Sequence, residues 1–208
     1  SQAERRYVSI LRRSDGNAVI AGFKRFPTPF SEYWPFGNRF PLLYRLTPRM
    51  NRIEPGLQNP VEVGNTQLGV YVCYDGMLVE SARDLVADGA GLLINPSSDQ
   101  WSRDAHTQPY QAFAMTRLRA IENRRFLIRA TPNGPSTIVD PAGRVVAGLH
   151  VGEEGILLAG VVPLEVGTPL PWLRDVVRWG ALLLLALILV LPARLARVVL
   201  QARPLHVS

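Results

Sequence analysis

The chain has one cysteine, Cys73, in 208 residues, which excludes an internal disulfide framework; with only three histidines it leaves little for a zinc site. Lysine is nearly missing: of 23 Lys and Arg residues, all but Lys24 are arginine. Arginine keeps its proton in a protein, whereas lysine can act as an acid, a base or a compact point charge. Ser1-Gln2-Ala3-Glu4-Arg5-Arg6 has neither an initiator methionine nor an apolar leader run, so no signal peptide is expected and the start reads as the interior of a longer polypeptide. The net charge of +6 comes from basic residues spread along the chain, and no nucleic-acid partner is expected.

What remains is enough apolar sequence, 47%, for one domain with a sizeable core. Tyr7 to Leu11 and Ala18 to Phe23 flank Ser14-Asp15-Gly16-Asn17 and predict a hairpin. Seven prolines between Pro27 and Pro60 argue against regular structure there and for a functional loop or lid. Leu68 to Val72 reads as a buried strand, Met77 to Ala87 as a helix, and Gly91 to Asn95 as a further strand. The segment Thr107 to Arg124 carries Tyr110, Ala114, Leu118 and Ile121 at helical spacing and predicts an amphipathic helix. Phe126 to Ala130, Ser136 to Val139, Arg144 to Ala147 and Ile156 to Val162 read as strands, with Asp140-Pro141-Ala142-Gly143 as a turn. This order predicts an α/β domain of layered sheet and helix.

The C-terminal region differs. Trp179 to Ala193 is 15 residues without a charge, and with snorkelling arginines the stretch 176–199 is expected to form a transmembrane helix. Arg194, Arg197 and Arg203, beyond the uncharged run, are expected to put the C-terminus on the cytoplasmic side and the preceding domain outside.

Cys73 sits where a strand gives way to a helix, a corner that suits either a thiolate nucleophile or a small buried residue. Lys24 and Glu32 lie on the proline-rich side as a possible oxyanion donor with its carboxylate partner, or as a surface ion pair.

An ordered set of motifs joins these residues. Lys24 is followed by Pro29-Phe30-Ser31-Glu32-Tyr33, then Val72-Cys73-Tyr74-Asp75. Next come Asn95 to Trp101, Arg119-Ala120-Ile121-Glu122-Asn123-Arg124-Arg125 and Arg129-Ala130-Thr131-Pro132-Asn133-Gly134. The set resembles the nitrilase (carbon–nitrogen hydrolase) superfamily and, within it, the apolipoprotein N-acyltransferase family. The resemblance implies a partial nitrilase-like αββα sandwich over 1–168. It is followed by a linker at 169–175, the transmembrane helix at 176–199 and a cytoplasmic tail at 200–208. It implies an N-acyltransferase of the bacterial cytoplasmic membrane, multi-pass in full length, with its catalytic domain on the periplasmic side. Cys73 would take an acyl chain from a phospholipid as a thioester and pass it to the α-amino group of the diacylglyceryl-cysteine of an apolipoprotein. Lys24 would stabilise the oxyanion, and Glu32 would be the supporting glutamate. Tyr74, Asp75 and Trp101 would bind substrate or support the site. No metal or cofactor is implied.

The chain departs from the family pattern in three places. Asp75 replaces a glutamate, Phe26 stands where a histidine is common, and no general-base glutamate lies tens of residues before Lys24, since Glu4 is too close. The chain is therefore expected to be a fragment, inactive alone. The missing methylene at position 75 is expected to shorten the carboxylate's reach, so that Asp75→Glu is tolerated. Alternative readings are a membrane-tethered nitrilase-type amidase and a catalytically dead membrane-anchored module.

Overall fold

The computed structural model describes residues 5–12, 16–48, 50, 52–100 and 107–201, except the side chains of 170, 171 and 191–201. The chain divides into two units, 1–167 and 168–208. In the first, β1 (Val8–Arg12) and β2 (Ala18–Phe23) form the expected antiparallel hairpin. A proline-rich stretch follows that, among its described residues, holds one short helix, α1 (Leu42–Leu46). The chain then builds a six-stranded sheet in the order β3-β4-β5-β6-β7-β8: β3 (Val61–Val63), β4 (Thr66–Val70), β5 (Leu92–Pro96), β6 (Phe126–Ala130), β7 (Ser136–Val139) and β8 (Val145–Leu149). Its centre, β4-β5-β6, is parallel, and α2 (Val79–Ala87) and α3 (Thr107–Asn123) make the crossovers that parallel pairing requires.

The two faces follow from strand alternation. Leu93, Leu127 and Tyr71 meet Ala82, Leu85 and Ala120 of the helices in one buried cluster. Leu68, Val70 and Leu92 on the other face meet Ala21 of β2. The hairpin therefore stacks on the sheet opposite the helices. Gly22 makes that stacking possible, because a Cβ there would stand 2.6 Å from the Val70 carbonyl oxygen. This close approach is what brings Lys24, one residue past β2, to the end of β4 where Cys73 turns.

Four sequence expectations change. The helix read from Met77 to Ala87 starts two residues later, as α2, and a separate 3-10 turn at Cys73–Met77 precedes it with Leu78 extended between them. Ile156 to Val162 forms no strand. Ile156 and Leu158 are exposed, while Leu164 N–H donates to the Gly91 carbonyl. On α3 the expected apolar stripe is the outer one: Tyr110, Leu118 and Ile121 are exposed, and Ala112, Thr116, Arg119, Ala120 and Asn123 face the sheet. Small and polar residues take the inner face because α3 packs closely there, with Thr116 against Gly76, and Thr116 and Asn123 donate back to carbonyls of the helix itself. Just past Pro60 lies β3, which was not expected, since its three residues are too few for a periodicity signal.

In the second unit a single helix, α4 (Leu170–Gln201), covers the stretch expected as a span. It begins at Leu170, so most of 169–175, expected as a linker, is helical; Pro171 in the first turn lacks only an N–H that has no intrahelical acceptor there. Among the described residues no helix is long and apolar enough to cross a membrane, and the side chains from 191 to 199 lie outside them.

Candidate active site

Cys73 occupies the tight corner after β4 with φ of 53°, a left-handed conformation that costs a non-glycine residue about 1–3 kcal/mol unless its surroundings enforce it. The enforcement is visible. Asn95, fully buried on β5, donates from Nδ2 to the carbonyls of Tyr71 (2.9 Å) and Cys73 (3.4 Å), one on each side of the corner. Asn95 Oδ1 accepts from Arg129 Nη1 at 2.7 Å, and Arg129 Nη2 donates to Asp99 at 2.7 Å. Gly76 closes the turn against Asn95 and Thr116, where a Cβ would sit 2.9 Å from the threonine Oγ1. Cys73 is half-buried and carries a free thiol. As the second residue of its turn, Tyr74 has an amide N–H with no intrahelical acceptor, which leaves that donor beside the thiol.

Lys24 is 1% exposed, and a buried ammonium needs a partner. Glu32 supplies it: Nζ lies 2.6 Å from Oε1 and 2.5 Å from Oε2, with Thr28 Oγ1 accepting at 3.2 Å. The same Glu32 carboxylate accepts the Thr28 N–H at 2.6 Å, and the Tyr7 ring lies under Nζ. The eight-residue spacing thus works through a compact turn, since Glu32 N–H bonds back to the Thr28 carbonyl.

Asp75 is fully buried and holds the segment after Lys24 by its backbone. Oδ1 accepts from Phe26 N–H at 2.8 Å, and Oδ2 from Arg25 N–H at 2.9 Å and Gln58 Nε2 at 2.5 Å. Burial pushes the Asp75 carboxyl up from the ordinary range; the Arg25 and Phe26 amides, the Lys24 charge and the Val72 amide pull it back. The shorter side chain expected to lose reach is thus fully engaged at its actual length. Phe26, at the position where the family commonly has histidine, contributes its amide to this arrangement.

Tyr74 opens onto a cavity of about 700 Å³ walled by Phe26, Tyr33, Trp34, Phe36 and Tyr44. The loop aromatics divide. Tyr33 and Trp34 line the cavity, with Trp34 Nε1 bonded to Thr47; Phe36 stands at its rim, 79% exposed, and Phe30 and Phe40, 66% and 57% exposed, lie outside it.

The fold therefore brings Lys24, Glu32, Cys73, Tyr74 and Asp75 to one end of the parallel strands. Trp101 and Glu4 lie outside the described residues. Thr28 and Gln58 were not found by sequence reasoning, and no signal marks them: each is a common polar residue in a proline-rich loop whose role appears only when the loop folds back.

These geometries agree with what the chain is similar to. The carbon–nitrogen hydrolase family matches residues 24–168. An apolipoprotein N-acyltransferase of Geobacter metallireducens is 32% identical over 143 residues, 68% of this chain and 27% of that protein. One of Pseudomonas putida is 30% identical over 205 residues, 94% of this chain and 39% of its own length. This chain thus spans well under half of the curated relatives it matches. A carbon–nitrogen hydrolase structure from Helicobacter pylori shares the fold, with TM-score 0.54 and 22% identity over 74% of this chain and 56% of that one. A matched family domain over most of the chain, on an α/β fold of the same kind, places this protein in the carbon–nitrogen hydrolase family.

Proposed function

We propose that this chain carries the nucleophile and oxyanion donors of a membrane N-acyltransferase that acts on apolipoproteins. The observation that carries the reading is the buried Lys24–Glu32 pair, held by Asp75 beside the strained Cys73 corner. A surface ion pair would need neither that burial nor that backbone anchoring. The curated relatives called apolipoprotein N-acyltransferase support the choice of reaction.

In this reading the Cys73 thiolate attacks the ester carbonyl of a phospholipid acyl chain. The carbonyl oxygen becomes an oxyanion received by Lys24 Nζ and the Tyr74 amide N–H. Collapse breaks the ester C–O bond, releases the lysophospholipid alkoxide to be protonated, and leaves the acyl chain on sulfur. The α-amino group of a diacylglyceryl-cysteine then attacks the thioester, an amide forms, and the thiolate departs. The family resemblance implies a separate general-base glutamate, and in this reading it removes the thiol and amine protons while Glu32 and Asp75 hold the Lys24 segment. The aromatic cavity beside Tyr74 suits an acyl chain, and the exposed Phe30, Phe36 and Phe40 suit a lipid surface. Helix α4, with its run from Leu182 to Leu191, is read as the membrane anchor, its arginine-rich end cytoplasmic and the catalytic unit periplasmic.

The test is to incubate the natural polypeptide carrying this chain with a mass-labelled phospholipid and read Cys73 by peptide mass spectrometry. A hydroxylamine-labile acyl adduct on Cys73 that transfers to a diacylglyceryl-cysteine peptide is expected. Loss of the adduct to water instead would make the protein an amidase-type hydrolase, and no adduct would make it a non-catalytic module.

A further inference from the structure

Gln58 lies in the irregular chain between α1 and β3 and is 9% exposed. Its Nε2 donates to the Phe23 carbonyl at 2.9 Å and to Asp75 Oδ2 at 2.5 Å. Both neighbours are pure acceptors, so only an NH₂ group satisfies them, and a carboxamide turned the other way would set oxygen against two oxygens. The backbone around Lys24 is held on every side. Phe23 C=O takes Gln58, Lys24 N–H donates to Tyr7 C=O, and Gly56 N–H donates to Lys24 C=O. Arg25 and Phe26 donate to Asp75. Among the described residues, Gln58 is the one side chain that ties the residue before Lys24 to the carboxylate holding the two residues after it.

We propose that Gln58 is a positioning residue for Lys24: its two N–H bonds lock the Phe23–Phe26 backbone to Asp75, and so set where Nζ stands relative to Cys73. The inference rests on the reading of Lys24 as an oxyanion donor. Its chemistry requires a donor pair at position 58, which glutamine has and glutamate lacks. The charged groups around this contact are Asp75 and Lys24, with Arg25, Asp84 and Asp88 lining the adjoining cavity and Arg25 already paired to Asp84.

The experiment uses the natural polypeptide with labelled phospholipid and compares Gln58→Glu and Gln58→Met with wild type for Cys73 thioester formation across pH. Gln58→Glu sets two carboxylates against each other, so at neutral pH kcat should fall about tenfold with KM within about twofold. As pH falls, one proton shared by the pair restores an O–H···O link, so the ratio of variant to wild-type rate should rise. Gln58→Met keeps the volume without donors, so its rate should be low at neutral pH and should not recover as pH falls. A flat ratio for Gln58→Glu, or wild-type kcat in both variants, would overturn the inference. If Gln58→Glu fails to fold, a wild-type kcat in Gln58→Met still overturns it and a tenfold loss at unchanged KM supports it. Cys73→Ala run alongside separates the two levels: a thioester surviving there refutes the acyltransferase reading itself, whereas a dead Cys73→Ala with normal Gln58 variants refutes only the role of Gln58.

Discussion

Replacing Glu32 by glutamine removes one charge from a pair whose other member has almost no access to water. At 2.5 Å, with Lys24 1% and Glu32 15% exposed, the attraction is about 7 kcal/mol at an effective dielectric of 20. The desolvation of a buried ammonium takes back several kcal/mol of that. What the substitution exposes is mostly this desolvation, because the glutamine oxygen can still accept the Thr28 N–H while Lys24 is left charged and unpaired. Removing one partner of such a pair costs about 3 kcal/mol, taken at the low end because Glu32 keeps some solvent contact. For a protein of this size that lowers Tm by roughly 6–12 °C. The assay is thermal unfolding of the natural polypeptide carrying Glu32→Gln, beside a double variant that adds Lys24→Met. The double variant removes both charges, so its Tm should return to near wild type while thioester formation stays absent. A Glu32→Gln Tm within about 2 °C of wild type would refute the reasoning, since Lys24 would then draw its stabilisation from Thr28 and the Tyr7 ring instead.

Cys73→Ser and Lys24→Arg should each abolish the acyl adduct in the labelled-phospholipid assay without changing the far-UV spectrum, because a hydroxyl is far harder to ionise than a thiol and a guanidinium does not fit an ammonium site. Asp75 is raised by burial, so its ionised form is the costly one: its contribution to stability is present at low pH and lost as pH rises through its folded value. Its hold on the Lys24 segment, in contrast, needs the carboxylate, so thioester formation should have an acid limb above the usual carboxylate range. An Asp75→Asn variant, uncharged at every pH, should lack that limb. Asp75→Glu, expected from sequence to be tolerated, must fit a methylene into a fully buried site with every bond made, and a loss of about 1–3 kcal/mol in denaturant unfolding is expected instead. Arg129→Leu takes the guanidinium away from Asp99, which keeps the Thr131 hydroxyl, and releases Asn95 from its fixed orientation. It should cost about 3–5 kcal/mol and speed Cys73 alkylation by iodoacetamide, as the corner loosens.

The expected apolar stripe of α3 shows where periodicity misleads. Tyr110, Leu118 and Ile121 recur at the right spacing, yet the helix buries Thr116, Arg119 and Asn123. Thr116 and Asn123 can sit on the inner face because each returns its donor to a carbonyl one turn back in the same helix, Thr116 to Ala112 and Asn123 to Arg119. The hairpin of β1 and β2, the parallel β4-β5-β6 core and the Asp140–Gly143 turn were legible because their signals are local, namely short apolar runs and turn residues. The separate 3-10 turn at Cys73–Met77 was not, because one short turn ended by an extended Leu78 leaves no mark on composition.

By itself the sequence determined the inventory of chemistry. It has one thiol and one ammonium, a glutamate eight residues from that ammonium, and an aspartate two after the thiol, in an order that marks a carbon–nitrogen hydrolase. These are properties of residue identity and spacing, which survive without coordinates. Only the tertiary structure decided that Lys24 is buried rather than on the surface, that Asp75 works through the amides of Arg25 and Phe26, and that Gln58 and Asn95 brace the two halves of the site. Those outcomes depend on β2 stacking across β4 at Gly22 and on a proline-rich loop folding back over it. Contacts between residues 17 to 50 positions apart are set by how layers pack, and no local pattern in the chain encodes them.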